Sequence, residues 1–133
     1  MDKKTLQDQY LDILREEGFK GEVDSDGDIH FKFEGMSYFI MVREDDETYH
    51  SILFPRFWNL ESQDEKIKAL MVTNSMNLQY KCGKLFLVGE LESVSASIQI
   101  FLINPAELKK FFSRMVGILK GMVDEFVVEM KKD

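Results

Sequence analysis

The clearest candidates for metal chemistry are the aspartates of the stretch DSDGD, residues 24–28. An EF-hand loop places oxygen ligands at positions one, three and five, a glycine at six and a bidentate glutamate at twelve. Counted from Asp24, the third and fifth positions fit, but Ile29 and Gly35 occupy the sixth and twelfth. The Asp-Gly pair between two strand-like segments predicts a tight hairpin turn, because that pair tolerates positive φ angles. Calcium binding stays an open alternative, and no metal or cofactor is predicted.

A second set of candidates is the single cysteine and the two histidines. Cys82 can form neither an intramolecular disulfide nor a thiolate cluster within one chain. As a nucleophile it would need a base, but His30 and His50 lie in strand-like segments with no motif linking them to it. A small enzyme or ligand sensor would have to bring these residues and Tyr80 together in one pocket. That is the alternative function, and the sequence predicts no catalytic residue.

Composition and charge limit the class of protein. The 133 residues are 44% hydrophobic, which predicts a single domain over residues 1–133 with one core. The formal net charge of −7 repels phosphate backbones and anionic lipid, so neither nucleic acid nor membrane is expected as a partner. The opening MDKKTLQDQY lacks the apolar stretch of a signal peptide, and a lone cysteine suits a reducing compartment. We therefore predict a cytoplasmic protein.

Hydrophobic periodicity predicts an α+β fold in which helices flank an antiparallel sheet, in the order α-β-β-β-β-α-β-β-α. The predicted helices cover residues 5–17, a segment that begins at the capping box 62–65, and a segment from residue 105 almost to the end. The predicted strands cover residues 19–23, 29–34, 37–43, 49–58, 80–88 and 92–103. The third strand is apolar on both faces, which is typical of a central strand. Pro55 in the fourth predicts an edge or a bulge.

Two surfaces follow from the apolar pattern. In the sixth strand Ser95, Ser97 and Gln99 alternate with apolar residues, which predicts one solvated side of the sheet. In the last helix an apolar stripe is on the order of 39 Å long, whereas an ordinary strand spans about 20 Å. We therefore expect part of the stripe to overhang the sheet and contact a partner. On the same helix Gly117 and Gly121 predict either a close approach by another backbone or a local kink.

Three segments carry a resemblance to a known family: GDIHFKFEGMSYFIMVRED (27–45), MVTNSMNLQYKCGKLFLVG (71–89) and NPAELKKFFSRMVGIL (104–119). With the deduced element order, they resemble the type III secretion chaperone-like fold, and especially its cytosolic YbjN-type branch. The resemblance implies a homodimer that binds extended segments of partner proteins on apolar patches, with no family catalytic residue to carry over.

The predicted function is accordingly a non-enzymatic protein-binding or chaperone-like module that acts as a small acidic homodimer. Its partner would be another polypeptide, bound by strand addition or in apolar pockets. The predicted contact residues lie on the sheet and the distal part of the last helix: Phe39, Met41, Phe101, Ile103, Met122, Phe126 and Met130.

Overall fold

The computed structural model describes residues 1–133 and confirms the predicted α+β class and element order. Three helices, α1 (Lys3–Glu16), α2 (Gln63–Asn77) and α3 (Leu108–Met130), accompany six strands. The strands are β1 (Glu22–Val23), β2 (Ile29–Phe33), β3 (Met36–Met41), β4 (Tyr49–Asn59), β5 (Gly83–Val88) and β6 (Ser93–Phe101). They form one antiparallel sheet in the order β1-β2-β3-β4-β6-β5. None of the helices has the combination of length and apolar character needed to cross a bilayer.

Side-chain caps define where the first two helices begin. Asp2 Oδ1 accepts a hydrogen bond from the Thr5 N–H at 2.8 Å, and Ser62 Oγ accepts one from the Glu65 N–H at 3.1 Å. The Glu65 carboxylate in turn accepts from the Glu61 N–H at 2.7 Å. The predicted capping box at 62–65 is therefore present. In the usual box the glutamate accepts from the N–H of the capping serine, whereas here it accepts from the N–H of the preceding residue.

The DSDGD stretch is the predicted hairpin turn between β1 and β2. Asp24 Oδ1 accepts hydrogen bonds from the N–H groups of Asp26 and Asp28, at 2.9 and 3.0 Å, and Gly27 has a φ of 88°. Asp28 Oδ1 accepts from the Val42 N–H at 2.8 Å, which ties the turn to the segment after β3. These carboxylates thus satisfy backbone donors. No group of three or more His, Cys, Asp or Glu side chains lies where it could hold a metal ion.

Pro55 marks a bulge inside the sheet. β4 lies between β3 and β6, so the edge alternative was wrong, and the register shifts between Phe54 and Trp58. Arg56 has a φ of 46°, and its N–H donates to Ser95 Oγ at 2.8 Å. The Ser95 hydroxyl therefore accepts a hydrogen bond from the Arg56 N–H, which the bulge leaves without a partner in the neighbouring strand.

The serines of β6 lie on the uncovered side of the sheet that their alternation predicts, but they are not solvated. Ser93, Ser95 and Ser97 are all buried, although no helix covers them. β6 is flanked by β4 and β5, and the larger Leu53 and Phe86 stand opposite Ser97 and Ser95 in the neighbouring strands. Small side chains between larger neighbours lose contact with water even on the uncovered face of a sheet.

The helices pack on one face of the sheet around 27 buried hydrophobic residues. Met122, Phe126 and Met130, which we expected to contact a partner, belong to this core, and their exposure is 0, 0 and 8%. The expected overhang is not observed, because the apolar stripe is buried as far as Met130 in the last turn of α3. There α2 packs against α3, and Lys68 Nζ of α2 donates to the Met130 carbonyl at 3.0 Å.

The small residues of α3 lie on its exposed side. The helix is continuous through Gly117 and Gly121, so the expected kink is absent. A Cβ atom added at either glycine would meet no heavy atom within 4 Å. This side of α3 is therefore free of any contact within the chain.

Candidate functional site

One apolar surface is the face of the sheet that the helices leave uncovered. Cross-strand partners lie on the same face of an antiparallel sheet, so the pairs Phe39–Leu53, Leu53–Ser97 and Ser97–Lys84 place these four residues together. We define the open face by these residues and those in register with them: Glu22, His30, Lys32, Ser37, Phe39, Met41, Tyr49, Ser51, Leu53, Lys84, Phe86, Ser95, Ser97, Gln99 and Phe101. None of its apolar side chains belongs to the buried core or packs against it.

The centre of the open face is concave. Its residues surround a depression of about 180 Å³ lined by side chains of β3, β4, β5 and β6 together with Arg43. Met41, Leu53 and Phe86 form the apolar part of the lining, and all three are only half-buried. A sheet with a bulge and a right-handed twist is curved, which explains why its uncovered side forms a shallow depression.

The charge of the open face is opposite to that of the chain. Lys84 Nζ lies 5.6 Å from the centre of the Phe86 ring, within cation–π range, and takes part in no ion pair. Lys32 adds positive charge on β2, and Arg43 adds a charge after β3 that Asp28 partly neutralises at a distance of 3.8 Å. Among the strand residues of this face Glu22 is the only acid, and it is bound to His30 at 3.0 Å. An acidic ligand would thus meet an attractive surface on a chain whose net charge is −7.

The predicted contact residues divide into two groups. Phe39, Met41 and Phe101 lie on the open face, and Phe101 is 70% exposed. Ile103 follows the end of β6 and is 83% exposed, so it lies outside the sheet. The three distal residues of α3 are in the core, as described above.

Leu53, Lys84 and Phe86 belong to the open face but are not among the predicted contact residues. Their alternation in β4 and β5 is visible in the sequence, but a pattern with period two does not say which strands are neighbours. The pairing of β4 with β6, and of β6 with β5, brings these residues beside Phe39.

Both edges of the sheet are partly protected against strand addition. The Asn77 side chain donates to the Leu85 carbonyl at 3.0 Å and accepts from the Leu85 N–H at 2.8 Å. The Asn77 side chain therefore binds the N–H and C=O groups of Leu85, which point away from the sheet in the middle of β5. At the opposite edge β1 is only two residues long. Short strands and covered edges disfavour pairing with another chain, so we base the candidate site on the side chains of the open face.

The residues of the alternative function do not converge. His50 is fully buried on the helix side, and its Nδ1 is 2.7 Å from the Tyr10 hydroxyl. His30 is on the open face, where it contacts Glu22 and Ser37. Cys82 is exposed at the turn before β5, and neither histidine lines the cavity beside it. The requirement of one shared pocket is therefore not met.

Tyr80, the fourth residue of that alternative, has a structural contact. Its hydroxyl donates to the carboxylate of Glu125 on α3. Burial, together with this hydrogen bond and the charge of Glu125, raises the pKa of Tyr80 to about 12. The phenol remains protonated near neutral pH and links the start of the β5 segment to the last helix.

His50 makes folding stability depend on pH. Burial lowers the pKa of His50, an effect that Asp46 partly offsets, and Nε2 has no protein partner for a second proton. The unfolded chain therefore binds a proton near pH 6.5 that the folded chain binds only at lower pH. The contribution of His50 to the free energy of unfolding should be complete above pH 6.5. It should be lost as the pH falls through the pKa that His50 has in the folded chain. The slope is at most about 1.4 kcal/mol per pH unit for this one proton.

Urea unfolding between pH 7.5 and 5.5 measures this effect. His50→Gln should flatten the dependence, whereas His30→Gln serves as the matched control and should leave it in place. An unchanged slope in His50→Gln would assign the dependence to other groups.

Comparison with known proteins adds one match. The sequence profile of the YbjN family, described as "Putative bacterial sensory transduction regulator", matches residues 7–130. The matched range extends from α1 to the last turn of α3 and includes the whole sheet. A search of curated proteins finds no match for the chain.

Proposed function

Because this chain belongs to the YbjN family, we propose that it is a non-enzymatic regulatory module whose open face binds a partner polypeptide. The observation that carries the proposal is a helix-free sheet face with apolar side chains outside the core. The family description as a regulator supports the coarse function, and the resemblance to secretion chaperones supports a polypeptide as the partner. A single exposed cysteine supports a cytoplasmic location.

The chemistry of the open face defines the partner. Apolar side chains such as Met41 and Phe86 can bury further area, at about 25 cal/mol for each Å² of apolar surface. Lys84 and Arg43 beside them favour carboxylates. We therefore propose an extended segment in which every second side chain faces the sheet, and these facing residues are in turn apolar and acidic. Both kinds of side chain then reach the depression at once.

NMR titration with two synthetic peptides tests this proposal. One peptide has the repeat Leu-Ser-Glu-Ser and the other has the repeat Leu-Ser-Lys-Ser, so that leucine and the charged residue lie on the same side of the extended chain. The acidic peptide should shift backbone signals of β3, β5 and β6 on the open face, and the basic peptide should bind weakly or not at all. Equal binding of both peptides, or shifts confined to α2, would contradict it.

We also propose that the protein forms a homodimer through α2. Four exposed apolar side chains lie on one face of this helix: Ile67, Leu70, Met71 and, directly after its last residue, Leu78. Counted from Ile67, the other three follow after three, four and eleven residues, which is the spacing of one helical face. The buried side of α2 is instead formed by the smaller Ala69 and Thr73 with Met76. A helix that turns its larger apolar residues to solvent has an unpartnered surface for a second copy.

Light scattering over a wide concentration range measures the expected association. The double variant Leu70→Glu/Met71→Glu should reduce a dimeric mass to that of a monomer. It would place four charges, two from each copy, in the buried twofold interface. The matched control is Met41→Glu on the open face, which should leave the mass unchanged. A wild-type monomer at every concentration would contradict self-association and leave the open-face proposal intact.

A further inference from the structure

A second concave site lies on the helix side of the sheet, beyond the first residue of β5. β5 begins at Gly83, opposite Ile98, so Ile100 has no neighbour in β5. α3 crosses above this gap and leaves a crevice of about 180 Å³. Ile98 and Met115 form its buried floor, and the half-buried Ile100, Phe111 and Ile118 form its walls. The crevice is thus a preformed apolar site in a position where β6 lacks a neighbouring strand.

The rim of the crevice is cationic. It consists of Lys81, Cys82 and Arg114, all of which are exposed. Neither Lys81 nor Arg114 takes part in an ion pair or a side-chain hydrogen bond, although acidic residues outnumber basic ones by 24 to 17 in the chain. Two free cations beside an apolar floor complement a ligand with a negative head and an apolar body.

The backbone holds this rim in place. Cys82 has a φ of 61°, in the left-handed region that a residue with a side chain seldom adopts, and its carbonyl accepts from the Gln99 N–H at 3.0 Å. The chain therefore turns away from β6 at Cys82, and the hydrogen bond to Gln99 holds this turn in position. The crevice is a consequence of this turn, because the chain before Gly83 no longer follows the sheet.

We propose that this crevice binds a small soluble carboxylate with a short aliphatic chain or a single aromatic ring. The carboxylate would lie between Lys81 and Arg114, and the apolar part would contact the floor. An engineered apolar cavity of about 150 Å³ holds benzene, so the volume suits about six carbon atoms and excludes a long acyl chain. This inference is independent of the open-face proposal, because the crevice is on the opposite side of the sheet.

Hexanoate, hexan-1-ol and hexan-1-amine are matched probes that differ in the head group. NMR titration should give saturable binding of hexanoate with a Kd on the order of 1 mM, as expected for a ligand of about eight heavy atoms. The alcohol should bind more weakly, and the amine should not bind. The shifted signals should be those of Cys82, Ile98 and Ile118. Hexanol binding as tightly as hexanoate, no saturation with hexanoate, or shifts on the open face would overturn the proposal.

Cys82 provides a second readout because it is the only cysteine and lies at the rim. Saturating hexanoate should slow its alkylation by neutral iodoacetamide several-fold, whereas hexan-1-amine should not. An alkylation rate that hexanoate leaves unchanged would place the ligand elsewhere and contradict the proposal.

Charge variants test the role of the rim. Lys81→Gln/Arg114→Gln should weaken hexanoate binding about tenfold and leave hexanol binding unchanged. Lys20→Gln/Lys131→Gln removes the same charge from two exposed, unpaired lysines elsewhere and should have no effect. Equal weakening by both variants would mean that net charge, and not this rim, attracts the anion. Both variants are on the surface, and thermal unfolding will verify that they remain folded.

Discussion

Phe126→Ala is expected to lower the free energy of unfolding by about 3–5 kcal/mol, a large part of the stability of a domain this size. Phe126 is fully buried, and its ring meets those of Phe57 and Trp58 edge-on, with centroids 5.5 and 5.9 Å apart. Truncation would remove these contacts and leave a cavity beneath the bulged part of β4, where three aromatic rings pack together.

Urea unfolding of the two α3 variants Phe126→Ala and Val128→Ala measures the effect. Val128 lies two residues further along the same helix and is 55% exposed, so its truncation should change stability by less than about 0.5 kcal/mol. Equal, small losses for both variants would restore the sequence-based hypothesis that Phe126 lies on a surface for a partner. A large loss only for Phe126 would identify it as a core residue.

The second large effect concerns recognition on the open face. Lys84→Glu/Phe86→Ser should weaken binding of the leucine-glutamate peptide about a hundredfold, because it reverses a charge and removes an aromatic contact in the same depression. Lys84→Glu alone should also make the leucine-lysine peptide the better ligand. Such a reversal of specificity cannot arise from misfolding.

The matched control is Lys131→Glu/Val128→Ser, which makes the same kinds of change on the exposed side of α3. It should leave binding of both peptides unchanged. If it weakens the acidic peptide as much as the open-face variant does, long-range charge alone would account for binding, and the proposed depression would have no specific role.

The sequence by itself determined the elements and their order. The first two helix starts have a local cause, such as the serine and glutamate of the box at Ser62, and the turn at DSDGD depends on side chains within five residues. At the predicted cap of the last helix, by contrast, neither Asn104 nor Glu107 makes a side-chain capping bond. The family resemblance was also visible in the sequence, and the match over residues 7–130 confirms its YbjN part. These features are local, so neighbouring residues suffice to predict them.

Only the tertiary structure decided which apolar residues are available to a ligand. The stripe of α3 has the same sequence pattern whether it is buried or exposed, and its burial depends on the sheet and on α2, which pack against it from distant parts of the chain. Likewise, Phe39 and Phe86 are 47 positions apart, and they share a face only because β6 lies between β4 and β5. Strand pairing and packing depend on residues that are far apart in the chain. The hydrophobic period of a segment shows that the segment has an apolar face, but it does not show which other part of the protein covers that face.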